Sequence, residues 1–197
     1  MDPSITLLSK ELDFTRQLVL EAVADLSPRE LLRPMHGPFR SVARLLGMVT
    51  VADRAALVHL DAGELPEVPY GFEARFAPWG IGDDEDIAEW DVSLPSLYAR
   101  HRTDLIHATE SLEPGQLDAR LEVEEAWDED GLFRFGTLGE MVLSLSGYTS
   151  FLMGEFMIAR LALGKAPVKG LLERELERFQ QAARPDERKT LGRENQG

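Results

Sequence analysis

Apolar side chains recur at alternating steps of three and four residues over four long stretches of the chain. This spacing is typical of one buried face of an α-helix. The last stretch spans about seven helical turns between a capping box, Thr137 with Glu140, and a terminating Gly164. Its stripe consists of Leu138, Met141, Leu145, Tyr148, Leu152, Phe156 and Ala159. The pattern predicts an all-α protein organised around this helix.

The three earlier stretches predict helices from about 4 to 26, from 38 or 39 to 62, and from 87 to 112. The predicted inner face of the first is formed by Ile5, Leu8, Leu12, Thr15, Val19, Ala22 and Leu26. That of the second is formed by Val42, Leu45, Val49, Ala52, Ala56 and His59. That of the third is formed by Leu94, Leu97, His101, Leu105 and Ala108. Since proline fits the first turn of a helix, Pro95 favours a later start for the third helix, at Ser93 or Leu94.

The connections between these stretches define the expected topology. Residues 63 to about 87 are rich in proline and glycine and predict a long crossover that packs on the helices through its aromatic side chains. Residues 117–135 predict a small β-hairpin, and 169–183 predict an extra C-terminal helix. We therefore expect one domain over 1–184, an up-down-down-up four-helix bundle, followed by a disordered tail over 185–197.

Charge and composition narrow the functional classes. The chain has 197 residues and a net charge of −14, and residues 1–164 carry 13 Lys and Arg against 29 Asp and Glu. Such an acidic body repels phosphate backbones, so we expect no nucleic-acid partner. The absence of cysteine excludes disulfides and thiolate ligands. We expect no membrane span and no signal peptide, and hence a cytoplasmic protein.

Three segments of the chain together resemble the DinB-like superfamily: LSPREL, GPFRSVARLLGMVTVADR and TLGEMVLSLSGYTSFLMGEFMIARLALGK. In that family a histidine follows a Leu-Gly pair in the second helix, and an HxxxH pair lies on the last bundle helix before a Gly-Gln. Members with these three histidines bind a divalent metal, often zinc or nickel, and some are thiol-dependent transferases or isomerases. The resemblance also implies a homodimer.

The three family histidines map onto Met48, Tyr148 and Leu152, and Glu155 takes the place of the glutamine. A thioether, a neutral phenol and an alkyl group are unsuited to zinc or nickel, so the resemblance implies a lost metal site and no cofactor. These side chains either line a pocket for a small apolar ligand or form a filled core. Glu155 is either a buried base or, as we favour, a surface carboxylate. The leading hypothesis is a non-catalytic, small-molecule-binding or stress-associated protein.

Two histidines motivate the alternative hypothesis. His59 and His101 are expected on inner faces near helix ends, where they either form a relocated polar site or are buried separately. A relocated metal or a metal-free site there would suit a thiol-dependent transferase or isomerase. On the last helix, Phe151, Met157 and Ile158 are expected opposite the core stripe, where a homodimer would cover them.

Overall fold

A computed structural model describes residues 2–35, 39–77, 92–121, 135–168 and residue 173. Four long helices dominate this part of the chain: α1 (Pro3–Val23), α3 (Val42–His59), α5 (Leu94–Glu110) and α6 (Leu138–Ala162). Two short helices, α2 (Pro28–Leu31) and α4 (Phe72–Phe76), and a 3-10 turn at Gln116–Asp118 lie between them. The described residues form no strand beyond an isolated bridge between Arg120 and Thr137. The prediction of an all-α protein is thus confirmed.

Capping side chains set the starts of the long helices. The α3 helix begins at Val42 rather than at 38 or 39, because the Ser41 hydroxyl accepts a hydrogen bond from the Arg44 N–H at 3.1 Å. The α6 helix begins at Leu138, directly after its cap Thr137, which forms the predicted capping box with Glu140.

The third predicted helix begins late, as its proline indicated. The α5 helix starts at Leu94, with Ser93 as its cap and Pro95 in its first turn. Residues 78–91 lie outside the described part of the chain, so the earlier predicted start near residue 87 is not tested there. The bulk of the predicted hairpin, the helix over 169–183 apart from residue 173, and the tail over 185–197 also lie outside it.

Each long helix contacts two others, in the ring α1–α5–α3–α6 and back to α1. The interior contains two hydrophobic clusters. One surrounds Val49, Tyr98 and Phe156, and the other surrounds Leu12 and Leu105. Burial of these apolar faces is the main stabilising contribution to such a fold.

The connection after α3 packs on the helices through α4, as expected of its aromatic residues. Phe72 and Phe76 are fully buried, with ring centroids 4.8 Å apart. The Phe76 ring rests directly on Gly47, where a Cβ atom would lie 2.2 Å from the ring. Glycine at this point of α3 is therefore required for α4 to dock.

Most residues of the predicted stripes are buried, six of seven in α6 and four of five in α5, and only single positions differ. On α3 the buried residue is Asp53 rather than Ala52, and on α6 Thr149 is more deeply buried than Tyr148. The prediction that His59 lies on the inner face is wrong, because His59 is exposed in the last turn of α3.

By length and composition, α6 is apolar enough to cross a membrane. The most apolar part of this helix is 44% buried within the protein, where it packs against α1 and α3. Core helices of soluble proteins also have this length and apolar composition.

Candidate functional site

Helices α3 and α6 bring the family's three metal positions into one region of the interior. Met48 and Leu152 are buried, with 5% and 1% of their surface exposed, and they belong to the same hydrophobic cluster. Tyr148 is partly buried and packs against that cluster. Because Tyr148 and Leu152 are four residues apart on a helix, they lie on one side of α6.

The residue that replaces the family's glutamine is not a surface carboxylate, so that interpretation is wrong. The Glu155 side chain is 17% exposed and forms a 2.7 Å ion pair with Arg40, which lies in the segment leading to α3. Its second oxygen, Oε2, is buried and has no hydrogen-bond partner among the described residues. The sequence alone did not reveal this burial, because Arg40 and Glu155 are far apart along the chain.

Tyr148 lies in the field of this ion pair. Burial raises the pKa of Tyr148 to about 12, with the Arg40 guanidinium opposing the shift and the Glu155 carboxylate adding to it. The phenol is therefore protonated at neutral pH, and a protonated phenol is a weak metal ligand and no general base.

The donor groups at this position do not fit zinc or nickel. A thioether, an alkyl group and a protonated phenol supply none of the imidazole or carboxylate ligands that these ions require. Across the described ranges, no group of three or more His, Asp or Glu side chains is placed to hold a metal ion.

The two histidines of the alternative site have different environments. His101 is fully buried, with Nδ1 2.9 Å from the Leu97 carbonyl oxygen and Nε2 3.5 Å from an Arg54 nitrogen. Burial lowers the pKa of His101, so its imidazole is neutral at pH 7. His59 faces solvent and does not share this buried environment. The structure therefore gives no support to a polar site built from both residues.

A different polar group, which the sequence analysis missed, occupies the interior between all four long helices. It consists of Thr15 from α1, Asp53 from α3, Arg102 from α5 and Thr149 from α6, and we call it the buried polar quartet. The Asp53 and Arg102 side chains are almost completely buried. One residue from each helix thus meets at the Arg102 guanidinium.

Arg102 is the hub of the quartet. Its Nε donates to Asp53 Oδ2 at 2.8 Å, its Nη1 to the Thr15 hydroxyl at 2.9 Å, and its Nη2 to the Thr149 hydroxyl at 2.8 Å. The ring centroid of Tyr98 lies 5.6 Å from the guanidinium carbon. Burial opposes the charge, but the Asp53 carboxylate outweighs it and raises the pKa of Arg102 above its ordinary value. The guanidinium remains charged and uses its hydrogen-bond donors within the protein.

A signal for the quartet is present in the sequence. Asp53 lies four residues after Val49, and Arg102 lies four residues after Tyr98, so both charges continue an apolar face. Opposite charges on the apolar faces of two helices indicate a buried ion pair. The alternation of three and four residues placed Ala52 rather than Asp53 on the inner face of α3. It placed His101, which is also buried, on that of α5.

Comparison with known proteins adds no family assignment. No protein-family model matches the chain, and no curated protein or solved structure matches it significantly. The DinB-like resemblance therefore rests on the three segments quoted above.

Proposed function

We propose that this chain is a non-catalytic, small-molecule-binding protein of DinB-like architecture in which an apolar pocket replaces the metal site. The proposed topology is an up-down-down-up four-helix bundle formed by α1, α3, α5 and α6. Arg160 near the end of α6 donates to the Ala22 carbonyl near the end of α1 at 2.6 Å, which supports a parallel α1–α6 pair. The ring of helix contacts supports the same arrangement.

The observation that carries this proposal is the chemistry of Met48, Tyr148 and Leu152. Two of the three family positions are alkyl or thioether side chains within the hydrophobic core, and the third is a protonated phenol. Beside them the carboxylate of Glu155 holds Arg40. In this proposal the ligand displaces part of this apolar packing, and a mostly apolar group of side chains beside one charged pair suits a small ligand with an apolar body and one polar group.

Metal content is the first test. Protein purified without an affinity tag should contain near-zero zinc and nickel by plasma mass spectrometry. One equivalent of either metal per chain, lost in a Tyr148→Phe variant, would contradict the proposal.

Ligand binding is the second test. We expect the fluorescent apolar amine N-phenyl-1-naphthylamine to bind the wild type, and Leu152→Trp to abolish binding by filling the space. Phe151→Trp is the matched control, because Phe151 is the adjacent residue of α6 and is 72% exposed. If Leu152→Trp does not fold by circular dichroism, the milder Met48→Phe replaces it. Equal binding by wild type, control and pocket variants would place the probe elsewhere and refute the pocket.

Glu155 motivates a second candidate function, a metal-free thiol-dependent transferase or isomerase. Its buried Oε2 atom, without a partner among the described residues, is an acceptor that a thiol or hydroxyl proton could use. Turnover of an electrophilic substrate with glutathione, lost in Glu155→Gln but retained in Glu11→Gln on the exposed side of α1, would favour this function. Binding without turnover favours the first.

The outer face of α6 supports a homodimer. Leu143, Phe151, Ile158 and Leu161 are exposed along this face, and the space around Gly147 and Gly154 is open. Met157, expected there too, is instead partly buried against the core. In a chain of net charge −14, a helix face with few charges is where two copies repel each other least.

Light scattering tests the dimer. We expect the mass of a dimer at micromolar concentration, and a monomer when Phe151 and Ile158 are both changed to Glu. The control is Leu7→Glu, because Leu7 is an exposed leucine of α1. A monomeric wild type, or a dimer that survives the double substitution, would contradict this interface.

A further inference from the structure

A cleft of about 560 Å³ lies between the C-terminal ends of α3 and α5, beyond the region of Met48 and Leu152. Its apolar lining comes from both helices and from the segment that follows α3, and consists of Leu57, Leu60, Ala62, Leu65, Pro66, Ala108 and Leu112. Its volume is in the range of small-molecule sites.

The described polar lining of the cleft is mostly acidic. Asp61, Glu64 and Asp104 contribute carboxylates, and the lining residues that the structure describes include no Lys or Arg. None of these three side chains forms an ion pair or hydrogen bond with another residue in the described ranges. Asp61 and Glu64 are exposed and Asp104 is partly buried, so within the described part of the chain these carboxylates can contact a ligand.

The ends of two helices add to this negative potential. The last turns of α3 and α5 both line the cleft, through Leu57 and Leu60 and through His107 and Ser111. The C-terminus of a helix carries a partial negative charge and favours a cation. Carboxylates, helix ends and apolar surface thus converge on one space.

Asp61 follows the end of α3 in a left-handed backbone conformation, in which glycine or asparagine would be more stable. Its φ is +50°, and the Asp61 and Ala62 N–H groups donate back to Val58 and Leu57 carbonyl oxygens, both at 3.1 Å, in a Schellman arrangement. A carboxylate at a helix C-terminus also lies at the unfavourable end of the helix dipole. Asp61 is therefore costly to the fold on two counts, and it is one of the residues that line the cleft.

We propose that this cleft binds an organic cation, a primary or quaternary ammonium group carried on an apolar body. The apolar body lies on Leu57, Leu65 and Leu112, and the ammonium group lies between Asp61 and Asp104. This site is separate from the pocket at Met48, and the proposal does not depend on the function proposed there. A metal ion is a poorer occupant, since no trio of ligand side chains is arranged for one in the described part of the chain.

The probe is phenethylammonium, compared with phenethyl alcohol, its neutral analogue of similar shape. We expect phenethylammonium to shift amide resonances of residues 60–66 and 104–112 in ¹⁵N-labelled protein, with an affinity that falls as salt is raised. The alcohol should bind at least several-fold more weakly. Equal binding of both molecules, or no shifts with millimolar phenethylammonium, would overturn the proposal.

Variants of Asp61 and Asp104 test whether these carboxylates bind the ammonium group. Asp61→Asn should weaken phenethylammonium binding by about threefold and the double variant with Asp104→Asn by about tenfold, as expected of partly exposed ion pairs. Glu11→Gln, an exposed carboxylate of α1, is the matched control and should leave affinity unchanged. Loss of affinity in Glu11→Gln to the same extent would mean a general effect of net charge and would refute the site.

A second measurement separates a binding role from a structural one. Asparagine tolerates the left-handed conformation and removes the charge from the helix end, so Asp61→Asn should raise the melting temperature while it lowers affinity. A lower melting temperature together with unchanged affinity would show that Asp61 serves the fold, and would overturn the assignment.

Discussion

Two neighbouring layers of the interior, built by the same helices, differ sharply in polarity. On α3 and α6 one layer contains Met48 and Leu152, which lie in a hydrophobic cluster. The adjacent layer contains Asp53 and Thr149, which surround the Arg102 guanidinium. This interior therefore accommodates charge, and the apolar character at Met48 is a property of that position rather than of the whole bundle.

The comparison shows what makes each layer stable. A buried charge is tolerated only when an opposite charge lies beside it and its hydrogen-bond donors have acceptors. For Arg102 the acceptors are Asp53, Thr15 and Thr149, from three different helices. A metal site would need an equally complete set of ligands. The layer of Met48 and Leu152 has none, so it is stable as an apolar layer.

Removing the carboxylate of the quartet should have the largest effect. Asp53→Ala leaves the Arg102 charge buried without its partner, and we expect a loss of about 3–5 kcal/mol in the free energy of unfolding by urea. The double variant Asp53→Leu with Arg102→Met removes both charges and should recover to within about 1 kcal/mol of wild type. A double variant as unstable as the single one would show that the pair itself stabilises the fold.

Introducing histidines at the three positions that the DinB-like resemblance implies should turn the apolar layer into a metal site. The triple variant Met48→His, Tyr148→His and Leu152→His should be stabilised by zinc, by about 2.7 kcal/mol at a hundredfold excess over its dissociation constant. The control carries Phe151→His in place of Leu152→His, because residue 151 points outward from α6. Equal stabilisation of the control, or of the wild type, would show that the helices do not hold this geometry.

The hydroxyl groups of the quartet should matter less than its charges. Thr149→Val removes an acceptor from the Arg102 guanidinium and should cost about 2 kcal/mol in the free energy of unfolding. Thr109→Val is the control, since Thr109 is equally buried but its hydroxyl donates only to the Leu105 carbonyl, at 2.8 Å, among the described contacts. Similar losses in both variants would show that Arg102 does not depend on Thr149.

The smallest effect should be a pH dependence from His101. Burial lowers the pKa of His101 in the folded protein. The stability that neutral His101 contributes is therefore fully present above the unfolded pKa of about 6.5, and it is lost as pH falls through the lower folded pKa. His101→Asn keeps a donor for the Leu97 carbonyl and cannot titrate, so its stability should fall less between pH 7 and 5. Parallel pH profiles of variant and wild type would contradict this role.

Much of the fold was predictable from local signals. The capping box of Thr137 and Glu140, the cap at Ser93 and the position of Pro95 each depend on a few adjacent residues, and the structure contains all three. The aromatic residues of the crossover also predicted that it packs on the helices, as Phe72 and Phe76 do. The candidate site was predictable only as a set of positions, Met48, Tyr148 and Leu152, which the resemblance to the DinB-like superfamily implied.

The sequence by itself thus determined an all-α protein, the approximate extent of its four long helices and the apolar character of its central stripe. Only the tertiary structure decided the burial of Asp53 and Arg102, the exposure of His59, and the ion pairs of Asp53 with Arg102 and of Glu155 with Arg40. The physical reason is that helix formation depends on neighbours along the chain. Burial and charge pairing depend on how each helix packs against the others, and its partners there are distant along the chain.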